Sequence, residues 1–369
     1  MGKYHICVYA ICKNEEKFVD RWMDSMSEAD SIVVLDTGSE DKTVERLRSR
    51  GAQVWQEAIV PWRFDRARNR SLELVPPESD ICVCTDLDEV FHLGWRARLE
   101  AAWKNGTKRA RYRYTWSFLP DGNEGVVFWL DKIHANRQFR WIHPVHEVLQ
   151  YLEEGGYETV SVPGMQLDHH PDAEKSRGQY LPMLEMAVKE CPEDDRNRHY
   201  LGREYMFRGR WDDCIKTLKW HLSMPQATWA DERSASMRYI ACAYEAKGEA
   251  EQAKSWLYRA MGETPHLREP YMEMAALLYR QQEWEGVLFM VLSALKITER
   301  PLSYISEPEA WGTAPYDYGA IACYWLGNYH RALQMVEEAL RLSPDNERLQ
   351  DNRRRILAAM PPFEKHPAI

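Results

Sequence analysis

The chain has 369 residues, of which 44% are hydrophobic and 28% charged, and carries a formal net charge of −9. That length exceeds one ordinary core and suits two domains, while the lack of any apolar run near the ~18–20 residues of a membrane span argues against a bilayer-crossing protein. The negative balance argues against nucleic acid as a partner, because counterion release needs clustered Lys and Arg over a groove-sized surface.

Taken in chain order, Met1-Gly2-Lys3-Tyr4-His5 runs straight into the short mixed segment Ile6–Cys12 without the apolar core of a secretion signal, which points to the cytoplasm. Short apolar strand-like runs then alternate with helical stretches. The strands are Tyr4–Ile11, Ser31–Leu35, Gln53–Trp55 and Asp80–Cys84. The helices are Glu15–Met26, with Phe18, Val19, Trp22 and Met26 on one face, then Thr43–Arg50, ended by Gly51, then Phe64–Val75. This order implies a doubly wound α/β sheet, which binds ligands outside the carboxyl ends of its strands. Past Lys108 the texture becomes aromatic and strand-like, with Pro120-Asp121-Gly122 as a turn between Tyr112–Leu119 and Gly125–Leu130, extending a mixed sheet to about Pro171. Arg109, Arg111 and Arg113 fall on one face there and Tyr112, Tyr114 and Trp116 on the other, a solvated edge over a packed aromatic face, with a phosphate or acceptor contact as the other reading.

From Pro192 onward the chain is almost wholly helical and repeats at about 34–45 residues, the range of two-helix solenoids. The clearest unit is Cys323–Tyr329 followed by Ala332, Ala339 and Pro344; earlier copies centre on Gly209, Gly248 and Gln282, so the third lacks a turn glycine. This half resembles the tetratricopeptide repeat in about four degenerate copies. The expected domains are residues 1–171, a linker at 172–193 and the repeats at 194–360. The eight cysteines form no CxxC pair and read as small apolar residues, so they suggest neither a disulfide framework nor a zinc site.

Two segments carry the chemistry. Asp86-Leu87-Asp88 follows the apolar run Ile81–Cys84, so two carboxylates stand where a central strand enters the ligand crevice, and can hold a divalent cation that also grips a diphosphate. Glu89 reads as their supporting partner or as a structural residue. Asp36, one unit earlier in Leu35-Asp36-Thr37-Gly38-Ser39, can accept hydrogen bonds from a ribose or base, or can merely start the helix at Thr43.

Four ordered motifs, Ile11-Cys12-Lys13-Asn14-Glu15-Glu16, Val34–Thr43, Phe64-Asp65-Arg66-Ala67-Arg68-Asn69 and Thr85-Asp86-Leu87-Asp88-Glu89, resemble those of family 2 glycosyltransferases of GT-A fold over about the first 170 residues. The resemblance is to the bacterial branch with C-terminal tetratricopeptide repeats. It implies a nucleotide-sugar donor, UDP-sugar foremost, with Mg²⁺ or Mn²⁺ and inversion at the anomeric carbon. By the same resemblance Glu15, Asp36, Arg68, Asn69 and Asp86 bind the donor, Asp86 and Asp88 bind the metal, and a histidine closes the site as a third ligand, His169 fitting the register better than His170. In Trp141-Ile142-His143-Pro144-Val145-His146-Glu147 the carboxylate of Glu147 is the candidate general base for an acceptor hydroxyl or thiol, with His146 and Asp131 competing for the role. Trp62, Trp116, Trp129 and Trp141 suit sugar stacking; Trp211, Trp220, Trp256 and Trp284 suit packing between repeat helices.

The function expected on these grounds is sugar transfer to a protein, peptide or cell-surface glycan acceptor, with the repeats presenting the acceptor or a second copy of the chain. Two other readings stand beside it: a repeat scaffold with a degenerate transferase domain, and a nucleotidyltransferase or nucleic-acid-modifying enzyme.

Overall fold

The computed structural model describes residues 2–172 and 178–361. The chain divides into two compact units between Pro192 and Glu193, with Leu302–Tyr304 belonging to the first.

The first unit is built on an eight-stranded mixed sheet. Its strands are β1 (Ile6–Cys12), β2 (Ser31–Asp36), β3 (Gln53–Gln56), β4 (Ile81–Cys84), β5 (Glu89–Phe91), β6 (Thr107–Thr115), β7 (Val127–Ala135) and β10 (Glu158–His169), in the spatial order β3-β2-β1-β4-β7-β6-β10-β5. β3, β2, β1 and β4 run parallel, and β7 pairs antiparallel with both β4 and β6. The order turns around between β1 and β4, since β2 and β3 build outward on one side and β4 on the other; this is a topological switch point, where an open sheet forms a crevice. β8 (Phe139–Ile142) and β9 (Val148–Tyr151) make a separate hairpin.

Alternation assigns the two sheet faces. Ile6, Val8, Ala10, Ile81 and Val83 pack with helix α1 (Val19–Met26), whose Val19, Trp22, Met23 and Met26 recur at helical spacing. Cys7, Tyr9, Cys82 and Cys84 face the other way, onto Phe139, Trp141 and Leu149 of the hairpin. Helix α2 (Thr43–Ser49) joins β2 to β3, and α3 (Phe64–Glu73) joins β3 to β4. β6 and β7 slip register between Ala110 and Tyr112, a bulge that re-aims the side chains of the longer strand segment. The three arginines of β6 are all engaged: Arg109 with Asp131 and Tyr157, Arg111 with Ser161 and the Trp129 ring, and Arg113 with Glu124. Their partners favour the packed-edge reading of that strand over a phosphate contact.

The stretch expected as a linker carries helix α5 (Tyr180–Glu190), which buries Met183, Leu184 and Ala187 and brings Tyr180 within 6.3 Å of the Phe64 ring. Its apolar spacing, masked by flanking polar residues, makes it part of the first unit; residues 173–177 of that stretch lie outside the described residues.

The second unit is a run of antiparallel helices, each packed on the next. They are α6 (Asp195–Phe207), α7 (Trp211–Ser223), α8 (Ala230–Ala246), α9 (Ala250–Glu263), α10 (Glu269–Arg280), α11 (Trp284–Leu295), α12 (Ala314–Trp325), α13 (Tyr329–Leu342) and α14 (Glu347–Ala359). The same turn closes four hairpins. At Gly209, Gly248, Gln282 and Gly327 the backbone enters the left-handed region, the N–H of that residue donates to the carbonyl three back, and the next N–H donates to the carbonyl five back. The third repeat therefore keeps the turn geometry without glycine, with Gln282 at φ 61°. Not every tryptophan packs as expected: Trp256 is buried, whereas Trp220 is half exposed beneath the Arg198 guanidinium, 3.8 Å from its ring. Among the described residues no helix is long and apolar enough to cross a membrane.

Two stability outcomes follow from this packing. A left-handed side chain costs about 1–2 kcal/mol and glycine's extra unfolded entropy offsets part of that, so Gln282→Gly should stabilise the repeat unit by about 0.5–1 kcal/mol in urea denaturation, where Gly248→Ala should destabilise it. In the first unit, burial pushes the His134 imidazole down to about 4, where it bonds to Tyr9 Oη at 2.8 Å. The unfolded chain takes up that proton first as pH falls, so its contribution is complete above pH ~6.5 and lost towards pH ~4, a span worth about 3 kcal/mol. Unfolding free energy measured across that window should fall less steeply in His134→Gln than in the unaltered chain.

Candidate active site

Several of the residues that the sequence singles out stand beyond the carboxyl ends of β1 and β4, with unequal roles. Arg68, on α3 and 4% exposed, is the centre of one group. Its Nη2 donates to both oxygens of Asp86 at 2.9 and 3.1 Å, its Nε donates to Glu147, its Nη1 lies 3.3 Å from Cys84 Sγ, and the guanidinium lies over the Trp141 ring at 5.4 Å. A charge taken out of water at this depth needs such partners, or its desolvation would unfold the site.

Lys132 completes the electrostatics. Its Nζ stands 3.2 Å from Asp86 Oδ2 and 3.6 Å from Glu89 Oε1. Burial pushes the Asp86 carboxyl up, but Arg68 and Lys132 outweigh it and hold that group well below the usual carboxylate range. Glu89, almost fully buried, accepts from Tyr114 Oη at 2.9 Å and from the Asp86 N–H at 2.9 Å; burial, joined by the charges of Asp86 and Asp88, raises its pKa. Nothing in the local sequence marks Lys132. Its direction depends on the bulge between β6 and β7, and only the pairing of a remote strand creates that bulge.

Asp88 faces a different partner. β5 pairs antiparallel with the end of β10, opposing Glu89 to His169, and this brings His169 Nε2 to 3.4 Å from Asp88 Oδ2. The other ring nitrogen, Nδ1, bonds to the Trp116 carbonyl at 2.9 Å, so the ring is oriented from behind as in metal-ligating histidines. Burial disfavours the charged imidazole, but the Asp88 carboxylate overrides it and raises the pKa. His170 donates its backbone N–H to the Asp88 carbonyl while its ring stacks on Phe118. Asp86, expected with Asp88 and His169 in one ligand set, is turned instead to Arg68 and Lys132, because two cations on one side outcompete a shared approach to Asp88.

The remaining expectations separate on geometry. Asp36 is fully buried and accepts backbone N–H groups from Gly38 and Ser39 at 3.2–3.3 Å, so its carboxylate organises the loop after β2 rather than opening towards a ribose. Glu15 is buried at the exit of β1, its N–H donating to Thr43 Oγ1 at 2.8 Å. Asn69, expected at the donor pocket, instead bonds both ways with the backbone of Trp141, at 2.8 Å each, and so ties α3 to β8. Asp131 points to Arg109 at 3.0 Å and does not join the Arg68 group. His146 and His143 both adopt left-handed backbone, φ 51° and 76°, in the loop that presents Glu147, and the Pro144 carbonyl accepts from the Phe64 N–H at 3.0 Å to pin that loop. Non-glycine residues held there concentrate at functional loops. Of the tryptophans proposed to stack on sugar, Trp141 is buried, whereas Trp116 and Trp129 expose their rings.

No protein-family model matches the chain, and no curated protein matches it. Solved structures similar to it include TPR proteins. Yeast Tom70 is 14% identical, with 50% of this chain and 37% of that one covered and a TM-score of 0.39. A thermophilic TPR protein of Thermus thermophilus is 19% identical over 48% and 89%, TM-score 0.35. The C-terminal part of a TPR repeat-containing protein from Cytophaga hutchinsonii is 15% identical over 49% and 65%, TM-score 0.41. This chain thus spans little more than a third of the yeast protein's length.

Removing the hub should be costly. Arg68→Met leaves Glu147 without its buried partner and should lower the unfolding free energy by about 3 kcal/mol. Glu147→Gln added to that background should recover part of the loss, a coupling that a double-mutant cycle reads directly.

Proposed function

We propose that the chain is a metal-dependent glycosyltransferase of GT-A type that moves a sugar from a nucleotide-sugar donor to a protein, peptide or glycan acceptor. The observation that carries this reading is the Asp86/Asp88 pair at the exit of β4, beside the switch point between β1 and β4, where open α/β sheets bind nucleotides. The fit of a divalent cation rests on Asp88 and His169: one oxygen and one nitrogen 3.4 Å apart, with the imidazole already oriented through Nδ1. Such a cation supplies charge neutralisation to the departing diphosphate. Arg68 and Lys132 hold Asp86 in place, Glu147 stands on the strained loop as the group that takes the acceptor proton, and Trp116 and Trp129, part-exposed and packed on His169 and Arg111, are the rings a sugar would meet. The helical hairpins of the second unit suit capture of the acceptor.

A second reading, a repeat scaffold whose α/β unit no longer transfers sugar, draws on the ion pairing of Asp86, which turns one carboxylate of the pair away from the other.

One measurement separates the two. With Mn²⁺ already present, adding a UDP-sugar at ~100-fold its Kd should raise the melting temperature by about 5 °C, because the ligand binds the folded chain alone. Asp88→Ala should abolish that rise. Absence of a shift with every nucleotide sugar tried would leave the scaffold reading in possession.

A further inference from the structure

Outside the crevice, in the second unit, three ligand-type side chains meet in the dry interior of the first repeats. His199 on α6 and His221 on α7 are fully buried, and Glu232, in the first turn of α8, is 5% exposed. Each offers one donor atom, and the three donor atoms lie within 4.8 Å of one another; among the described residues this is the one group of three or more His, Cys, Asp or Glu to do so. His221 Nε2 is 3.4 Å from Glu232 Oε1. Donors around a tetrahedral zinc, with bonds of ~2.0–2.1 Å, stand about 3.3–3.4 Å apart, so that edge is already formed and the others, within 4.8 Å, close on the ion by at most about 1.4 Å.

The back of the site is built as well. Ser236, one turn after Glu232 on α8, lies between the two rings, its Oγ 2.8 Å from His199 Nδ1 and 3.0 Å from His221 Nδ1. A hydroxyl oxygen has two lone pairs and can accept from both Nδ1–H groups, which fixes both rings in the tautomer that directs an Nε2 lone pair forward. Neither Nε2 has a hydrogen-bond partner, although both are buried. A chain of ordinary hydrogen bonds, His199 to Ser236 to His221 to Glu232, is the simpler account. It leaves the His199 Nε2 lone pair without a donor and the last link at 3.4 Å, long for a charge-assisted bond. Two buried imidazole nitrogens without hydrogen-bond partners, one of them 3.4 Å from a carboxylate oxygen, are an arrangement that an ion satisfies.

We propose that His199, His221 and Glu232 form a divalent transition-metal site, with zinc its fitting occupant, that pins α6, α7 and α8 together. Two imidazoles and one carboxylate suit zinc, whereas Mg²⁺ and Ca²⁺ take oxygen ligands. Because the three helices span the first hairpin and the start of the second, the ion acts as a cross-link within the repeat unit; its burial argues against turnover there. The inference is independent of the sugar-transfer reading.

The test uses the full chain after chelator treatment, titrated with Co²⁺ as a spectroscopic probe and then with Zn²⁺. The expected result is a visible absorption of tetrahedral Co²⁺ that saturates at about one equivalent per chain and is displaced by Zn²⁺. It should be absent in His199→Gln and His221→Gln, weakened about 10–100-fold in Ser236→Ala, and unchanged in Asp88→Ala. A chain that gives no visible band, a band that survives both histidine substitutions, or one lost in Asp88→Ala overturns the proposal. Because the histidine variants could lose their fold, X-ray absorption on the zinc-loaded, unsubstituted chain stands as the second readout. Two imidazole nitrogens at ~2.0–2.1 Å uphold the site, and an all-oxygen shell overturns it.

Discussion

A guanidinium that is 4% exposed must be answered by charge from somewhere, and the first unit is organised around how Arg68 is answered. Its partners come from the end of β4, through Asp86, and from the loop between β8 and β9, through Glu147, 79 residues further along the chain. The hairpin that supplies Glu147 also covers the second face of the sheet with Phe139, Trp141 and Leu149, and Asn69, next to Arg68, fixes that hairpin by its backbone. One helix, α3, therefore sets both the packing of the core and the direction of the crevice carboxylates. Asp86 is held by two cations, and Asp88 is left facing His169; the division of labour within the acidic pair is a consequence of where the buried arginine lies.

The repeat unit solves the same problem with backbone. Its four hairpin turns satisfy their helix-end carbonyls by one pattern of hydrogen bonds, whatever the side chain at the left-handed position, so glycine is a convenience there and Gln282 a tolerated exception. Regular turns place equivalent faces of successive helices in register, and this brings residues 199, 221 and 232 into one layer. Polar side chains in such a layer have no water to turn to, and must satisfy each other or an ion.

Much of the architecture was legible in the residues. The alternation of apolar runs and helical stretches located β1 to β4 and α1 to α3 to within a few residues, and the periodic small residues and prolines after Pro192 marked the helical hairpins. Asp86, Asp88, His169, Arg68 and Glu147 stood out by their positions in motifs; in the structure Arg68 meets Asp86 and Glu147, while Asp88 meets His169. The roles proved harder. Asn69 and Asp36 sit in the expected motifs yet serve the backbone, and Asp131 turns to Arg109. Lys132 and the His199, His221 and Glu232 group gave no sequence signal, because neither a lysine in a strand nor histidines separated by a whole helix stand out by spacing.

The sequence by itself determined the order and type of the elements, the hairpin period and the acidic exit of the central strand, since turn chemistry and side-chain alternation act over a few neighbouring residues. Which charges meet was decided only by tertiary structure. A one-residue bulge between β6 and β7 re-aims Lys132, and the antiparallel seat of β5 on β10 delivers His169 to Asp88. Coulombic and metal-binding partners need approach to a few ångströms, and chain spacing alone does not carry that distance.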